Sequence, residues 1–167
     1  ITMLRFFTVY GPWGRPDMAL FKFTEAILKN EKIDVYNNGK MKRDFTYILD
    51  LVQSIKLLID VIPELPAKRI KSINGDSISD VAPWRVINIG SSDPVELLDF
   101  IKAIKKSLGI KANKNMLKLQ PGDVEMTWAS TNLLKELTKF SPTTSIYVGV
   151  DNFVEWYIGY KSKYFQK

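Results

Sequence analysis

The sequence contains no cysteine and no histidine. Without cysteine there is no disulfide framework, no thiolate nucleophile and no thiolate metal site. Without histidine the commonest general base near neutral pH and the commonest metal ligand are gone, so acid–base work falls to Tyr, Lys, Asp or Glu. Long apolar runs are missing too. No stretch approaches the roughly 18 residues that a membrane-spanning helix needs, and Ile1-Thr2-Met3-Leu4-Arg5 lacks the basic start and apolar middle of a signal peptide. These absences read as a cytoplasmic protein with no membrane partner. What is present is core-forming: 167 residues, 46% hydrophobic and 12% aromatic, within the range of one domain. An excess of 24 Lys+Arg over 18 Asp+Glu gives +6, a field that favours anionic partners, although charge on helix faces is usually plain solvated surface.

The pattern along the chain is mixed α/β. Residues 4–10 (LRFFTVY) read as a buried strand ended by Gly11-Pro12. Domains usually begin in exposed polar linkers, and here the first residues already look like core, so the expectation is a portion of a larger protein. Asp17 can cap a helix running to about Lys29. Residues 33–36 and 43–47 alternate about the turn Asn37-Asn38-Gly39 and read as a strand pair. Leu51, Ile55, Leu58, Ile59 and Ile62 lie at helical spacing before Pro63, and residues 63–83 form a surface excursion. Residues 85–89 (RVINI) read as a strand. Asp93, Pro94 and Glu96 supply an N-cap, a first-turn proline and an N3 glutamate for a helix carrying Leu97, Leu98, Ile101, Ile104 and Leu108 and closed by Gly109. A strand at 116–119, the turn Pro121-Gly122-Asp123, a short helix at 131–139 and a last helix from 144 to about 160 complete the chain.

Three residues stand out on chemistry alone. Arg15 lies in a Gly/Pro-rich loop leaving a strand, where open α/β sheets bind ligands, though a surface arginine fits as well. Arg43 and Asp44 are neighbours on a half-buried strand, so one of them points inward, and an inward arginine needs an anionic partner. Asp123 can accept hydrogen bonds from a diol or simply bond its own turn. Aromatic residues such as Trp13, Trp128 and Trp156 can stack on a base but are more often core.

Five blocks change the reading: LRFFTVYGPWGRPDM at 4–18, MKRDFTYI at 41–48, VINIGSSDPVELLDFI at 86–101, LQPGDVEMTWAS at 119–130 and TSIYVGVDNFVEWY at 144–157. Together they resemble the UDP-glucuronate 4-epimerase group of the NAD-dependent epimerases/dehydratases, which are extended short-chain dehydrogenases/reductases. The resemblance implies an α/β C-terminal substrate-binding lobe of an extended Rossmann-type enzyme. Residues 1–167 would be one such portion, with a few strands of the parallel sheet but no complete dinucleotide-binding domain. It implies that the full-length enzyme interconverts UDP-glucuronate and UDP-galacturonate by transient C4 oxidation with NAD. The Gly-rich NAD loop and the Tyr-x-x-x-Lys pair would belong to an N-terminal domain absent here, so the fragment alone would hold no cofactor and be inactive. Tyr36 and Lys40 have that spacing but fall in a turn, and Tyr157 and Lys161 have it at the end of the last helix, far past the substrate motifs.

Carried over by motif, Arg43 would clamp the diphosphate and Asp123 contact the ribose, with Gln120 near the phosphates. Val35 and Tyr36 would meet the uracil largely through backbone groups, and Thr8 and Arg15 would face the sugar carboxylate. The partner is therefore expected to be a UDP-sugar, with no nucleic acid, and strands 4–10 and 85–89 could leave edges for self-association or a homodimer. Other readings are UDP-glucuronate decarboxylase, UDP-galactose 4-epimerase or a sugar dehydratase of the same family, and, from another class, a non-catalytic nucleotide- or nucleic-acid-binding module.

Overall fold

A computed structural model of the chain describes residues 1–68 and 73–164. The run at 4–10 is two strands. β1 (Thr2–Phe6) pairs in parallel with β5 (Arg85–Ile89), Leu4 opposite Ile87. Past Phe7, whose N–H donates to the Ile89 carbonyl at 3.2 Å, β2 (Thr8–Tyr10) changes neighbours and pairs in parallel with β4 (Lys42–Tyr47). The change of partner puts Tyr10 into an aromatic core, edge-on to Phe45 at 5.9 Å, while β1 leaves Met3 and Phe6 about half exposed.

Two other expectations give way to tertiary pairing. Residues 33–36 and 43–47 do not form a hairpin, because β3 (Lys32–Val35) pairs in parallel with β7 (Asn113–Met116). Asn37 and Asn38 do take left-handed φ values of 50° and 49°, but the chain runs on through Gly39 and Lys40, and both flanking strands find partners elsewhere. All four β7 residues are exposed, so no alternation marked that strand, which lies earlier than the expected 116–119. Likewise Pro94–Glu96 is a strand, β6, antiparallel to β4 with Asp44 opposite Pro94. Proline's fixed φ suits an edge strand as well as a first helical turn, and here the ladder to β4 wins. The helix α3 (Leu97–Leu108) starts three residues later than expected, with extended Glu96 at its N-cap and left-handed Gly109 at its C-cap.

The remaining helices are α1 (Ala19–Leu28), α2 (Ile48–Ile59), α4 (Asn132–Thr138) and α5 (Ile146–Tyr164). Asp17 does not cap α1. Met18 holds that position, and Asp17 pairs with Arg15 instead. The 63–83 excursion is irregular apart from a 3-10 turn at Pro66–Lys68, and its residues 69–72 lie outside the described residues. A buried ion pair at 3.4 Å between Arg85 and Asp76 ties it to β5.

Two cores hold the layers together. The larger packs α1, α3 and α5 on β3 and β4, with Phe100 fully buried and stacked on Phe45 at 4.4 Å. The smaller is aliphatic and joins β5 to α2 and α4 through Leu51, Leu58, Ile87, Ile89 and Leu134. Truncation of a fully buried phenylalanine such as Phe100 costs about 3–5 kcal/mol.

Candidate functional site

The parallel pairing of β3 with β7 returns residues 117–127 alongside β4. Leu117 N–H donates to the Val35 carbonyl at 3.0 Å and Asn38 N–H to the Leu117 carbonyl at 3.1 Å. Lys42 then exchanges backbone bonds with the same segment, donating to Glu125 at 2.9 Å and accepting from Thr127 at 3.2 Å. Between those anchors the chain turns at Gln120–Asp123, where Asp123 N–H donates to the Gln120 carbonyl at 3.1 Å and Gly122 takes a φ of 87°. The turn thus sits over the start of β4.

A cleft of about 540 Å³ opens between this turn, α1 and β4. Thr8, Tyr36, Arg43 and Asp123 line it together, over an apolar floor that includes Phe23, Ile33, Phe45 and Val95. Arg43 Nη1 donates to the carbonyls of Lys42 at 2.9 Å and Glu125 at 3.3 Å, which fixes one arm of the guanidinium at the cleft. Thr8 also lines an adjoining recess of about 40 Å³ with Arg15, Gly11 and Gly14. Arg15 is 73% exposed and pairs with Asp17 at 3.1 Å. Val35 lies apart from this group: its side chain is fully buried in the core and its carbonyl is taken by Leu117. Gln120 is exposed on the turn and does not line the cleft.

Behind the cleft, the inward member of the Arg43-Asp44 pair is the aspartate. Asp44 is fully buried and accepts four hydrogen bonds: from Ser91 N–H and Oγ–H at 2.7 and 2.9 Å, from Ser92 N–H at 3.1 Å and from Ala129 N–H at 2.9 Å. These bonds satisfy a buried charge and join β4, the β5–β6 loop and the 127–131 segment. They also hold Ser92 at a left-handed φ of 61°. Gly90 is required at this junction, since a side chain there would run into Ala129 and crowd both Asp44 oxygens at 3.1 Å.

Tyr10 is not poised as a base. Burial, with Asp50 and Tyr47 adding, pushes the Tyr10 phenol above its usual range. Its hydroxyl donates to the Ser145 carbonyl at 3.4 Å. Tyr157 is 1% exposed and packs edge-on to Phe21 at 4.9 Å, with Lys161 paired to Glu25 at 3.0 Å, so this pair belongs to core and surface rather than to the cleft. Among the described residues no group of three metal-ligating side chains occurs, and no helix is long and apolar enough to cross a membrane.

The family model for the NAD dependent epimerase/dehydratase family matches residues 1–73, the stretch that carries Thr8, Arg15, Tyr36 and Arg43. Residues 1–73 are thus similar to that family. Relatives extend the similarity over almost the whole chain. It is 58% identical over 93% of its length to an uncharacterized 37.6 kDa protein of Escherichia coli O111:H-, of which it covers 46%. It is 52% identical over 93% of its length to a probable UDP-glucuronate 4-epimerase of Rhizobium meliloti, again covering 46%. Among solved structures, UDP-glucuronic acid 4-epimerase from Bacillus cereus in complex with UDP-glucuronic acid and NAD superposes with a TM-score of 0.76 at 31% identity, covering 95% of this chain and 45% of that one. The chain spans about half the length of the curated relatives it matches.

The α/β architecture with parallel strands is thus that of the extended short-chain dehydrogenase/reductase epimerases. Sequence reasoning did not assign Asp44 its role, although the strand alternation already required one of the pair to face inward. As cleft residues it also passed over Asp17, Lys22, Lys32 and Asp34, which put further charge around the cleft. Their only signal is position on α1 and β3 opposite β4, which linear spacing does not reveal.

Proposed function

We propose that this chain is a single substrate-binding portion of an NAD-dependent enzyme that interconverts UDP-glucuronate and UDP-galacturonate. The observation that carries the reading is the convergence of Thr8, Tyr36, Arg43 and Asp123, from separate segments, on one cleft. Epimerisation at C4 requires the nucleotide to stay fixed while the sugar presents both faces, so binding interactions belong on UDP. Arg43 supplies directed donors for the diphosphate, one arm being pinned by two carbonyls while the rest of the fork remains for phosphate oxygens. Asp123 accepts from the ribose hydroxyls, whereas Gln120, which does not line the cleft, makes no phosphate contact in this reading. Tyr36 presents its backbone to the uracil; Val35, with its carbonyl bonded to Leu117, takes no part. Thr8 and Arg15, on the adjoining recess, take the sugar carboxylate, which favours glucuronate over a neutral sugar.

NAD supplies the hydride acceptor and donor in such an enzyme. The loop after β5 does not offer a dinucleotide phosphate site. A parallel strand would offer its following loop to a phosphate, but the N–H groups of Ser91 and Ser92 after β5 are already taken by Asp44. In this reading redox and proton-abstraction chemistry falls to residues outside this chain, because the Gly-rich loop and the Tyr-x-x-x-Lys pair on a helix by the cleft are missing from its sequence, and the chain binds without turning over. Calorimetric titration with UDP-glucuronate, with the same samples assayed for UDP-galacturonate after adding NAD, tests this reading. Saturable binding lost in Arg43→Ala, with no isomer formed, is the expected result; absence of binding, or turnover, overturns it.

Self-association belongs to the same proposal. β1 and β5 form a two-stranded sheet with Ile1, Met3 and Phe6 exposed, and such an edge recruits another strand. Light scattering should show mass rising with concentration, and a constant monomer mass would refute it.

A further inference from the structure

Trp13 occupies a backbone position that normally belongs to glycine. In the turn Gly11-Pro12-Trp13-Gly14, Gly14 N–H donates to the Gly11 carbonyl at 3.2 Å, and Trp13 has a φ of 63°. A turn with proline second and positive φ third takes Gly or Asn at that third place, and a bulky aromatic there is strained. Such strain persists only where the surroundings hold it. Trp13 is 75% exposed, so burial is not what holds it. Its ring lies against two rings of α5, Trp156 at 5.3 Å and Tyr160 at 5.6 Å, and Trp156 in turn packs on the core residue Phe153 at 5.5 Å.

The loop so held carries Arg15, two residues on. Its other end is fixed at Gly11, where any side chain would meet Ile48 at 2.6 Å and the Tyr47 ring at 3.0 Å. Beside Trp13 lies a cleft of about 520 Å³ bordered by Trp156, Tyr160, Glu25 and Lys161, which leaves the ring room to move if its contacts are lost. We propose that Trp13 is a positioning residue: its contact with α5 sets where the loop presents Arg15 beside Thr8, and thereby sets selectivity for an acidic over a neutral sugar.

This inference rests on the substrate reading above, and the experiment separates the two. UDP, UDP-glucuronate and UDP-glucose are titrated into the unsubstituted chain, Trp13→Gly, Trp13→Phe and Trp156→Ala. Trp13→Gly keeps the backbone conformation and removes the ring. It should lower UDP-glucuronate affinity roughly tenfold, by about 1.4 kcal/mol, while UDP and UDP-glucose affinities stay unchanged. Trp156→Ala should reproduce the loss from the other side of the contact, and Trp13→Phe should retain most of the preference. The preserved UDP affinity shows that each variant is folded. An unchanged glucuronate-to-glucose ratio in Trp13→Gly, or an equal loss for all three ligands, overturns the positioning role. Failure of the unsubstituted chain to prefer UDP-glucuronate to UDP-glucose overturns the substrate reading, and the inference with it.

Discussion

The two side chains at the start of β4 live under opposite conditions. Asp44 is buried, immobile and saturated by four donors, whereas Arg43, one residue earlier, faces an open cleft with only one arm fastened. The strand alternation that separates them also separates tasks. One side of the strand fixes three segments in place, and the other displays a charge at an open cleft. A charge of the first kind must be matched internally or it destabilises the fold; one of the second kind can stay unmatched because water solvates it.

The largest effect expected from this contrast is on stability. Asp44→Ala strands buried N–H groups of Ser91, Ser92 and Ala129 and should cost roughly 3–5 kcal/mol in urea denaturation. Arg43→Ala should change stability by no more than about 0.5 kcal/mol, its damage being confined to ligand binding. Equal losses from the two would erase the distinction. A smaller and pH-dependent effect is expected at Tyr10, whose folded-state phenol is raised chiefly by burial. Above the ordinary phenol pKa of about 10, the unfolded chain releases this proton while the folded chain keeps it. The folded state then binds more protons, so stability falls as pH rises, by at most about 1.4 kcal/mol per unit. Thermal melts between pH 9 and 11 should show a shallower decline in Tyr10→Phe; an identical decline would mean that Tyr10 ionises as easily folded as unfolded.

The helices were legible because their apolar spacing survives any choice of neighbour. Leu51 and Leu58 face the core of α2, and Ile101 and Ile104 that of α3, as their spacing requires. Phe100 escaped the periodic reading yet is fully buried, since α3 is covered by β4 as well as by α1 and α5. The strands were less legible, because pairing is decided across long separations. Nothing local to Pro94 distinguishes a first helical turn from an edge strand; only the presence of Asp44 opposite it does. β7 has no buried residue at all and is specified by β3. For the candidate site, the motif blocks carried Thr8, Arg43 and Asp123, the strand before MKRDFTYI carried Tyr36, and the fold brings those four to one cleft. Trp13 was left among the core aromatics because its left-handed backbone is invisible in sequence.

The cleft is assembled from residues that are far apart in the order of synthesis. Arg43 bonds to Glu125, 82 positions later. At a synthesis rate of 5–20 residues per second, β4 waits roughly 4–16 seconds before the segment that completes its far side has been made. During that interval α1, α2 and α3 can form, but α4, α5 and the far side of the cleft are still missing. Slow translation between residues 43 and 125 therefore lengthens the time for which β4 is open to the wrong strand.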